Sequence, residues 1–435
     1  MLPTATFPDA ALAIRDVLLP IVAQGAILRR PAAARAAELL HADDHALHRV
    51  RVLREKYGEG PLLIRLPGRT IALVMDPEHV HRILRETPDP FSAATGDKVG
   101  ALNHFQPHAV LATEPPLRGP RRELNEEALD SHHPVHRSAE SMIAAVTQEL
   151  HLEGTLGWTD FREIWSRIVR RIVLGDKARD DTELTALLDV LRSNANWAAM
   201  RPRNRKAQDL LDRRLTEYVE HAAPGSLVEA LMLSTIKRDS RAIEPGAGLD
   251  PAGQVPHWLF AFDSAGIALW RLLAVLATRR EVAERVAQDE SPLRAYAGGA
   301  VQESVRLWPT TLVVLREART ETRWDAGTAP AGTEFAIVSS VFHRDDEVLD
   351  FANDFVPEIW LDGRSDGPWP LIPFSEGPAV CPGRNVVLLT VSAAAHHLVS
   401  QYDLDLDPHT RDKLTKGPLP ATFDHTAPRM GFWRK

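Results

Sequence analysis

Cysteine is almost missing from this chain. Its 435 residues include one, Cys381. A lone cysteine closes no internal disulfide, so a disulfide-stapled scaffold is excluded and a reducing, cytoplasmic setting is expected. A cysteine cluster for zinc or an iron–sulfur centre is excluded as well. A basic excess is also absent. Lys and Arg total 51 against 59 Asp and Glu, a net charge of −8, which argues against nucleic acid because phosphate binding draws on net positive charge. No uninterrupted apolar run reaches the roughly 18 residues of a membrane span, so no membrane anchor is expected. The partly apolar N-terminus is broken by Asp9, Arg15 and Asp16 and closed by Arg29-Arg30-Pro31. No Gly-rich flavin or nicotinamide fingerprint stands in a strand–helix–strand setting. His132, His133 and His136 lack the Cys or carboxylate companions of a zinc site and read as a solvated loop.

What is present suits a large fold. Hydrophobic residues make up 44% of the chain, and the 32 prolines are dispersed rather than gathered in a linker. With no internal repeat, the expectation is one large domain over 1–435, mainly α with small β-sheets (α+β). Residues 33–57 read as a helix. Pro61–Leu66, a Pro67-Gly68 turn and Thr70–Met75 read as a β-hairpin, the core of a β-rich part at about 57–75. Asp76-Pro77 supplies an N-cap and a first-turn proline for the next helix. Residues 87–113 are loop-like. A helical core follows over about 115–310, interrupted by a loop from Arg238 to Pro256. His257–Arg280 is a long apolar helix of the kind buried on most sides, so its Asp263 and Arg271 need explanations. Short strands near Leu312–Leu315, Arg323-Trp324 and Phe335–Ser339, a Pro-rich stretch over 352–373 and a β-rich tail complete the chain.

Cys381 lies in Pro373-Phe374-Ser375-Glu376-Gly377-Pro378-Ala379-Val380-Cys381-Pro382-Gly383-Arg384 and precedes an apolar helix. Packing cysteines usually sit inside apolar elements. A thiol in a Gly/Pro loop before a helix feels the helix dipole and unpaired N–H groups, which favour the thiolate. A thiolate on haem iron promotes O–O cleavage; an inert buried thiol is the plainer alternative.

Four further patterns run in one order. Phe374, Gly377, Cys381 and Gly383 fit Phe-x-x-Gly-x-x-x-Cys-x-Gly. Glu303-Ser304-Val305-Arg306 is a Glu-x-x-Arg whose ends share a helix face. Glu114-Pro115-Pro116-Leu117-Arg118-Gly119-Pro120-Arg121-Arg122 places Arg118 and Arg122 at i, i+4. The long helix carries Leu259-Phe260-Ala261-Phe262-Asp263-Ser264-Ala265-Gly266. Together they resemble the cytochrome P450 haem-thiolate monooxygenases, from about Tyr57 to near the C-terminus. Pro330-Ala331-Gly332 and His343-Arg344-Asp345 resemble lesser motifs of the same family.

The resemblance implies the P450 fold, a haem-thiolate loop at 373–385 and haem b held by Cys381, with Phe374, Gly377 and Gly383 around it. It implies propionate contacts from Arg118, Arg122 and Arg316, and a structural pair Glu303–Arg306. Asp263 and Ser264 would form the acid–alcohol pair that delivers protons; a one-residue shift of register would put Ser264 and Ala265 there instead. A structural alternative pairs Asp263 with an arginine. Phe262, Ala265, Gly266, Leu312, Val313 and Phe423 are implied substrate contacts. Three positions depart from the family pattern: Ala379 for a basic residue, Ile359 for an arginine that Arg364 could replace, and Ser264 for threonine. The implied activity is monooxygenation of a medium-sized organic molecule, such as a secondary metabolite, by a cytoplasmic monomer. Electrons would come from NAD(P)H through a ferredoxin reductase and a ferredoxin docking near Cys381, where Arg384 could contribute. Peroxide-driven, coupling or rearrangement chemistry, and a non-catalytic haem-binding sensor, are the alternatives.

Overall fold

The computed structural model describes residues 1–435 except Ala26, Pro67, 240–247 and Pro292. Part of the expected turn at Pro67-Gly68 and of the loop from Arg238 to Pro256 therefore lies outside the described residues. Among those described, the strands are β1 (Leu62–Leu66), β2 (Arg69–Leu73), β3 (Phe91–Ser92), β4 (Gly154–Leu156), β5 (Val313–Ala318), β6 (Thr322–Trp324), β7 (Gly327–Ala329), β8 (Glu334–Val338), β9 (Tyr402–Leu406) and β10 (Met430–Arg434). Helices dominate the rest, so the chain is mainly α with small sheets. It gathers into two compact units, each assembled from three segments of sequence.

The first unit comprises Met1–Gly96, Gln302–Cys381 and Lys413–Asp424. Its five-stranded sheet runs β1-β2-β8-β5-β3. The β1–β2 hairpin has the expected antiparallel register, with Leu62 opposite Leu73 and Ile64 opposite Ile71. Val80, Ile83 and Leu84 on helix Pro77–Arg85 bury the face that packs into the sheet core, with Phe91, Phe335 and Ile337. The Asp76 side chain caps that helix by accepting from His79 N at 3.1 Å, so one carboxylate satisfies an orphan helix donor. The N-terminal stretch is helical from Phe7 and buries Ala10, Ala13 and Val17 in the same core.

The second unit comprises Asp97–Val301, Pro382–Asp412 and His425–Lys435. Its antiparallel sheet runs β4-β10-β9. The long apolar helix spans Val255–Leu276 and packs against helices Trp158–Leu174 and Arg384–Gln401. It is long and apolar enough to cross a membrane by composition, but 67% of its most apolar window is buried in protein. Trp270 stacks on Phe161 at 4.7 Å, and Trp165 is 1% exposed, so aromatic packing accounts for much of that burial.

Two expectations need correcting. The 87–113 stretch holds β3, a helix at Gly96–Leu102 and a 3₁₀ turn at Val110–Ala112; Gly96 and Gly100 weaken the helical signal that would have marked it. His136 is not solvated. It is 2% exposed, and its ring faces Ala128 O at 3.0 Å while accepting from Ser138 N at 2.9 Å.

Candidate functional site

In the first unit, the cysteine loop is folded by its own main chain. Cys381 N donates to Phe374 O at 2.9 Å and Val380 N to Gly377 O at 2.9 Å. Gly377 has φ +69°, and a Cβ there would collide with the Leu84 carbonyl oxygen. Only glycine meets both demands. His81, on the helix Pro77–Arg85, faces Glu376 Oε2 with Nδ1 at 2.6 Å and Pro368 O with Nε2 at 3.0 Å. These contacts tie the loop to that helix. Cys381 keeps some accessible surface. Ala379 closes a 3₁₀ turn and supplies no charge. The chain enters the second unit directly after Cys381, where Gly383 is the N-cap of helix Arg384–Gln401. Asn385 Nδ2 donates to Leu129 O at 3.0 Å and Asp130 O at 2.9 Å there.

The Glu303–Arg306 pair is fully buried. Arg306 grips the carboxylate with two N–H groups, Nε at 2.8 Å and Nη2 at 2.6 Å. Its remaining donors go to the carbonyls of His343, Phe351, Ala352 and Asp354. A buried ion pair is tolerable only with its spare donors and acceptors satisfied, and here they are. The expected third member of the network is replaced. Ile359 is 0% exposed and packs with Leu349 and Ala352, while Arg364 turns to Asp362 at 2.7 Å. Trp360 Nε1 and Val356 N instead donate to Glu303, at 3.0 and 2.9 Å. Sequence reasoning missed Trp360 because an indole carries no charge to search for.

The three arginines differ. Arg118, in the second unit, is 5% exposed, and its Nε and Nη2 are buried without a hydrogen-bond partner among the described residues. Burial, and after it the Arg122 charge, push its pKa below the usual guanidinium value. Arg122 gives Nε to Glu126 at 2.7 Å. Arg316, in the first unit, is buried and donates to Thr87 Oγ1 and to Leu315 O. A buried guanidinium with two orphan donors fits an anionic group. Haem propionates meet that description; in the first unit, taken by itself, the loop with Gly377 and Cys381 fits a haem. Among the described residues, no cluster of three or more His, Cys, Asp or Glu is placed to hold a metal ion.

The long helix exposes its residues unevenly. At about 100° per residue, His257, Phe260, Ala261, Ser264 and Ile267 share one face, and all five keep accessible surface. Phe262 and Gly266 lie opposite and are buried. The Trp165 indole donates to Phe262 O at 2.7 Å, and a Cβ on Gly266 would sit 2.5 Å from Trp165 Cδ1. Gly266 therefore exists for helix packing, and these two expected substrate contacts turn toward Trp165. Ala265 is 4% exposed. Ser264, not Ala265, occupies the accessible face. Asp263 flanks it, ion-paired with Arg192 and 3.8 Å from Arg162. Arg192 also lies over the Phe260 ring at 5.1 Å. Neither arginine was legible in sequence, since each lies on a separate helix far along the chain. His257 donates through Nδ1 to Gln106 Oε1 at 3.1 Å, and burial pushes its pKa down to about 4.

The remaining expected contacts lie in the first unit. Leu312 O accepts from Ser339 N at 3.0 Å, Val313 pairs with Val338 across β5–β8, and the Phe423 ring lies 4.9 Å from that of Trp308.

Comparison with known proteins connects these features. The family model for "Cytochrome P450" matches residues 274–423, a stretch holding Glu303, Arg306, Gly377 and Cys381. Over these residues the chain matches the cytochrome P450 family. Similar proteins include taxane 10-beta-hydroxylase of Taxus cuspidata, 26% identical over 149 residues, which are 34% of this chain and 30% of that protein. Cytochrome P450 714A2 of Arabidopsis thaliana is 25% identical over 276 residues, 61% of this chain and 50% of that one. The chain thus spans half or less of the length of these relatives. Among solved structures, the retinoic acid-bound cyanobacterial CYP120A1 shares the fold with a TM-score of 0.69 at 16% identity, covering 88% of this chain and 94% of that one. The crystal structure of the cytochrome P450 CYP102L1 does so with a TM-score of 0.70 at 14% identity, covering 90% and 94%. Both neighbours cover sequence well outside the matched third, so the P450 fold extends over most of the chain.

Proposed function

We propose that this P450 is a haem-thiolate monooxygenase that inserts one atom of O₂ into a medium-sized, largely apolar organic molecule. The observation that carries the reading is the cysteine loop: the only cysteine of the chain, partly accessible, in a loop whose Gly377 tolerates neither a side chain nor another φ. Haem b, ligated by the Cys381 thiolate, supplies iron-centred oxygen activation when bound. The chain's own residues do the rest. The Cys381 N–H donates to Phe374 O, a bond that fixes the turn of the loop. Arg118 and Arg122 in the second unit, and Arg316 in the first, would neutralise the propionates, and Arg118 and Arg316 are buried, where charge-assisted bonds are strong. Glu303 and Arg306 hold the segment leading to Cys381.

Proton delivery falls to the long helix. Ser264 Oγ, on the accessible face, would hold a proton for transfer. Asp263, on leaving Arg192 and taking up a proton from solvent, would pass it to Ser264, so Arg192 and Arg162 would set how readily the carboxylate is released. Lacking a nicotinamide or flavin fingerprint, the chain takes its electrons from a separate ferredoxin-type partner and its NAD(P)H-dependent reductase. The lone cysteine supports a cytoplasmic setting, and the taxane hydroxylase among its relatives favours a role in secondary metabolism.

A carbon monoxide difference spectrum of the reduced, haem-loaded protein tests the reading. A thiolate-type Soret band is expected for the wild type and none for Cys381→Ala. Haem-loaded, folded wild type without that band would refute it. One observation favours a second reading, peroxide-driven or rearranging chemistry: Asp263 is held by two arginines, and a serine replaces the usual threonine. If Ser264→Ala left the coupling of electron supply to product unchanged while peroxide supported turnover, the second reading would prevail.

A further inference from the structure

One imidazole in the first unit faces two acceptors at once. His81, on helix Pro77–Arg85, places Nδ1 2.6 Å from Glu376 Oε2 and Nε2 3.0 Å from Pro368 O. A carbonyl oxygen and an ionised carboxylate only accept. A neutral imidazole has one N–H and satisfies one of them; the imidazolium has two and satisfies both. The other way to fill both contacts is a protonated Glu376 donating to a neutral ring. An imidazole ordinarily holds its proton about two pH units higher than a carboxyl does, so the proton belongs on the ring.

The surrounding charges leave that assignment in place. His81 lines a cavity of about 720 Å³ together with Glu78, His79, Arg82 and Arg85 of its own helix, Arg323 and Asp325 of the β6–β7 hairpin, and Asp366. Arg82 is engaged with Arg323 O at 2.6 Å, Glu86 at 3.3 Å and the Trp324 ring at 4.4 Å. The arginines of this wall are offset by Glu78, Asp325 and Asp366. Among the described residues, Glu376 is the one carboxylate within ion-pair distance of the His81 ring.

Position gives the ring its role. Pro368 and Glu376 bound the segment 368–376, so one side chain closes that segment and docks it on the helix. The same helix meets the next residue, since a Cβ on Gly377 would collide with the Leu84 carbonyl oxygen. The turn that starts there carries the bonds from Val380 N to Gly377 O and from Cys381 N to Phe374 O, both 2.9 Å.

We propose that His81, held as an imidazolium, is a positioning residue for Cys381: it staples both ends of segment 368–376 to helix Pro77–Arg85, and the staple opens when the ring loses a proton. The inference rests on the reading of Cys381 as the haem ligand. The second bond exists only while the ring carries both protons. The loop is therefore held on the acid side of the imidazole range and loosened as pH rises through it.

The test is hydrogen exchange at the Val380 and Cys381 amides of the haem-loaded protein, referred to the unstructured rate at each pH, from about pH 6 to about pH 8.5. Wild-type protection should fall at least about fivefold over that range, the loss of one charge-assisted bond at a partly exposed site. His81→Gln should be poorly protected already at the acid end, with no slope. Glu376→Gln gives the sharper contrast. Its amide donates to a neutral Nδ1 while the Nε2–H serves Pro368, so protection should stay high and stop depending on pH. A flat wild-type profile, wild-type protection in His81→Gln, or a Glu376→Gln protein that keeps the slope or loses protection throughout would each overturn the inference. The wild-type profile needs no variant, so a misfolded His81→Gln leaves the test intact. A thiolate-type carbon monoxide band on the same samples at the acid end separates failure of this inference from failure of the haem reading.

Discussion

Replacing Trp360 by Phe removes one donor from a carboxylate that is 0% exposed. Glu303 retains Arg306 and Val356 N, so the ion pair survives with one oxygen less well satisfied. A hydrogen bond to a charged group contributes about 1.5–3 kcal/mol, and the smaller ring adds loss of packing at a half-buried site. Trp369→Phe is the control within the same unit. Its indole donates at 2.6 Å to the neutral carbonyl of Phe342, a bond of about 0.5–1.5 kcal/mol. Urea denaturation should therefore show Trp360→Phe more destabilised than Trp369→Phe by about 1 kcal/mol or more. A double-mutant cycle with Glu303→Gln should return a coupling of about 1–2 kcal/mol, since contacting residues in one network are not additive. Equal losses in the two tryptophan variants, or a cycle additive within about 0.3–0.5 kcal/mol, would refute the claim that Trp360 replaces the missing arginine.

Further outcomes follow from the same physics. Gly266→Ala, pressing a methyl against Trp165, should cost about 1–3 kcal/mol by overpacking, read as a lower urea midpoint; an unchanged midpoint would remove the reason given for that glycine. Arg118→Leu should leave the haem-free protein as stable or more so, because it deletes a buried unpaired charge, while haem transfers to apomyoglobin at least about tenfold faster; an unchanged transfer rate would sink the propionate role. His257 titrates near pH 4 in the folded chain against an ordinary 6.5. Its contribution is therefore complete above about pH 6.5 and is lost as pH falls toward 4, because the unfolded chain takes up the proton first. Allowing for the ring's remaining accessibility, the loss is about 2 kcal/mol. His257→Gln should flatten the pH dependence between 7 and 5; the same slope in both proteins would contradict it.

Local chemistry made part of this structure legible. The β1–β2 hairpin followed from β-branched residues around a turn, and the Asp76-Pro77 helix start from capping and the fixed φ of proline. Glu303 and Arg306 pair across three residues of one helix, as spacing alone requires. The parts that stayed hidden depend on distant chain. Arg192 reaches Asp263 from a helix 71 residues earlier, and Trp165 reaches Gly266 across about a hundred. Nothing at positions 165 or 192 distinguishes them from ordinary helix residues. The orientation of the long helix also depends on packing: Trp165 claims the Phe262–Gly266 side, and Ser264 faces the other way.

On the function proposed above, the accessible face of the long helix would also work as a ruler. His257 and Ser264 mark two polar graduations on it, seven residues or about 10 Å apart at the helical rise, with the Phe260 ring and the Ala261 methyl between them. A molecule shorter than that interval meets one mark at a time and can slide between them. A longer one spans both and is held in register, so the length of a guest, as much as its chemistry, decides which of its atoms comes to rest beside Ser264.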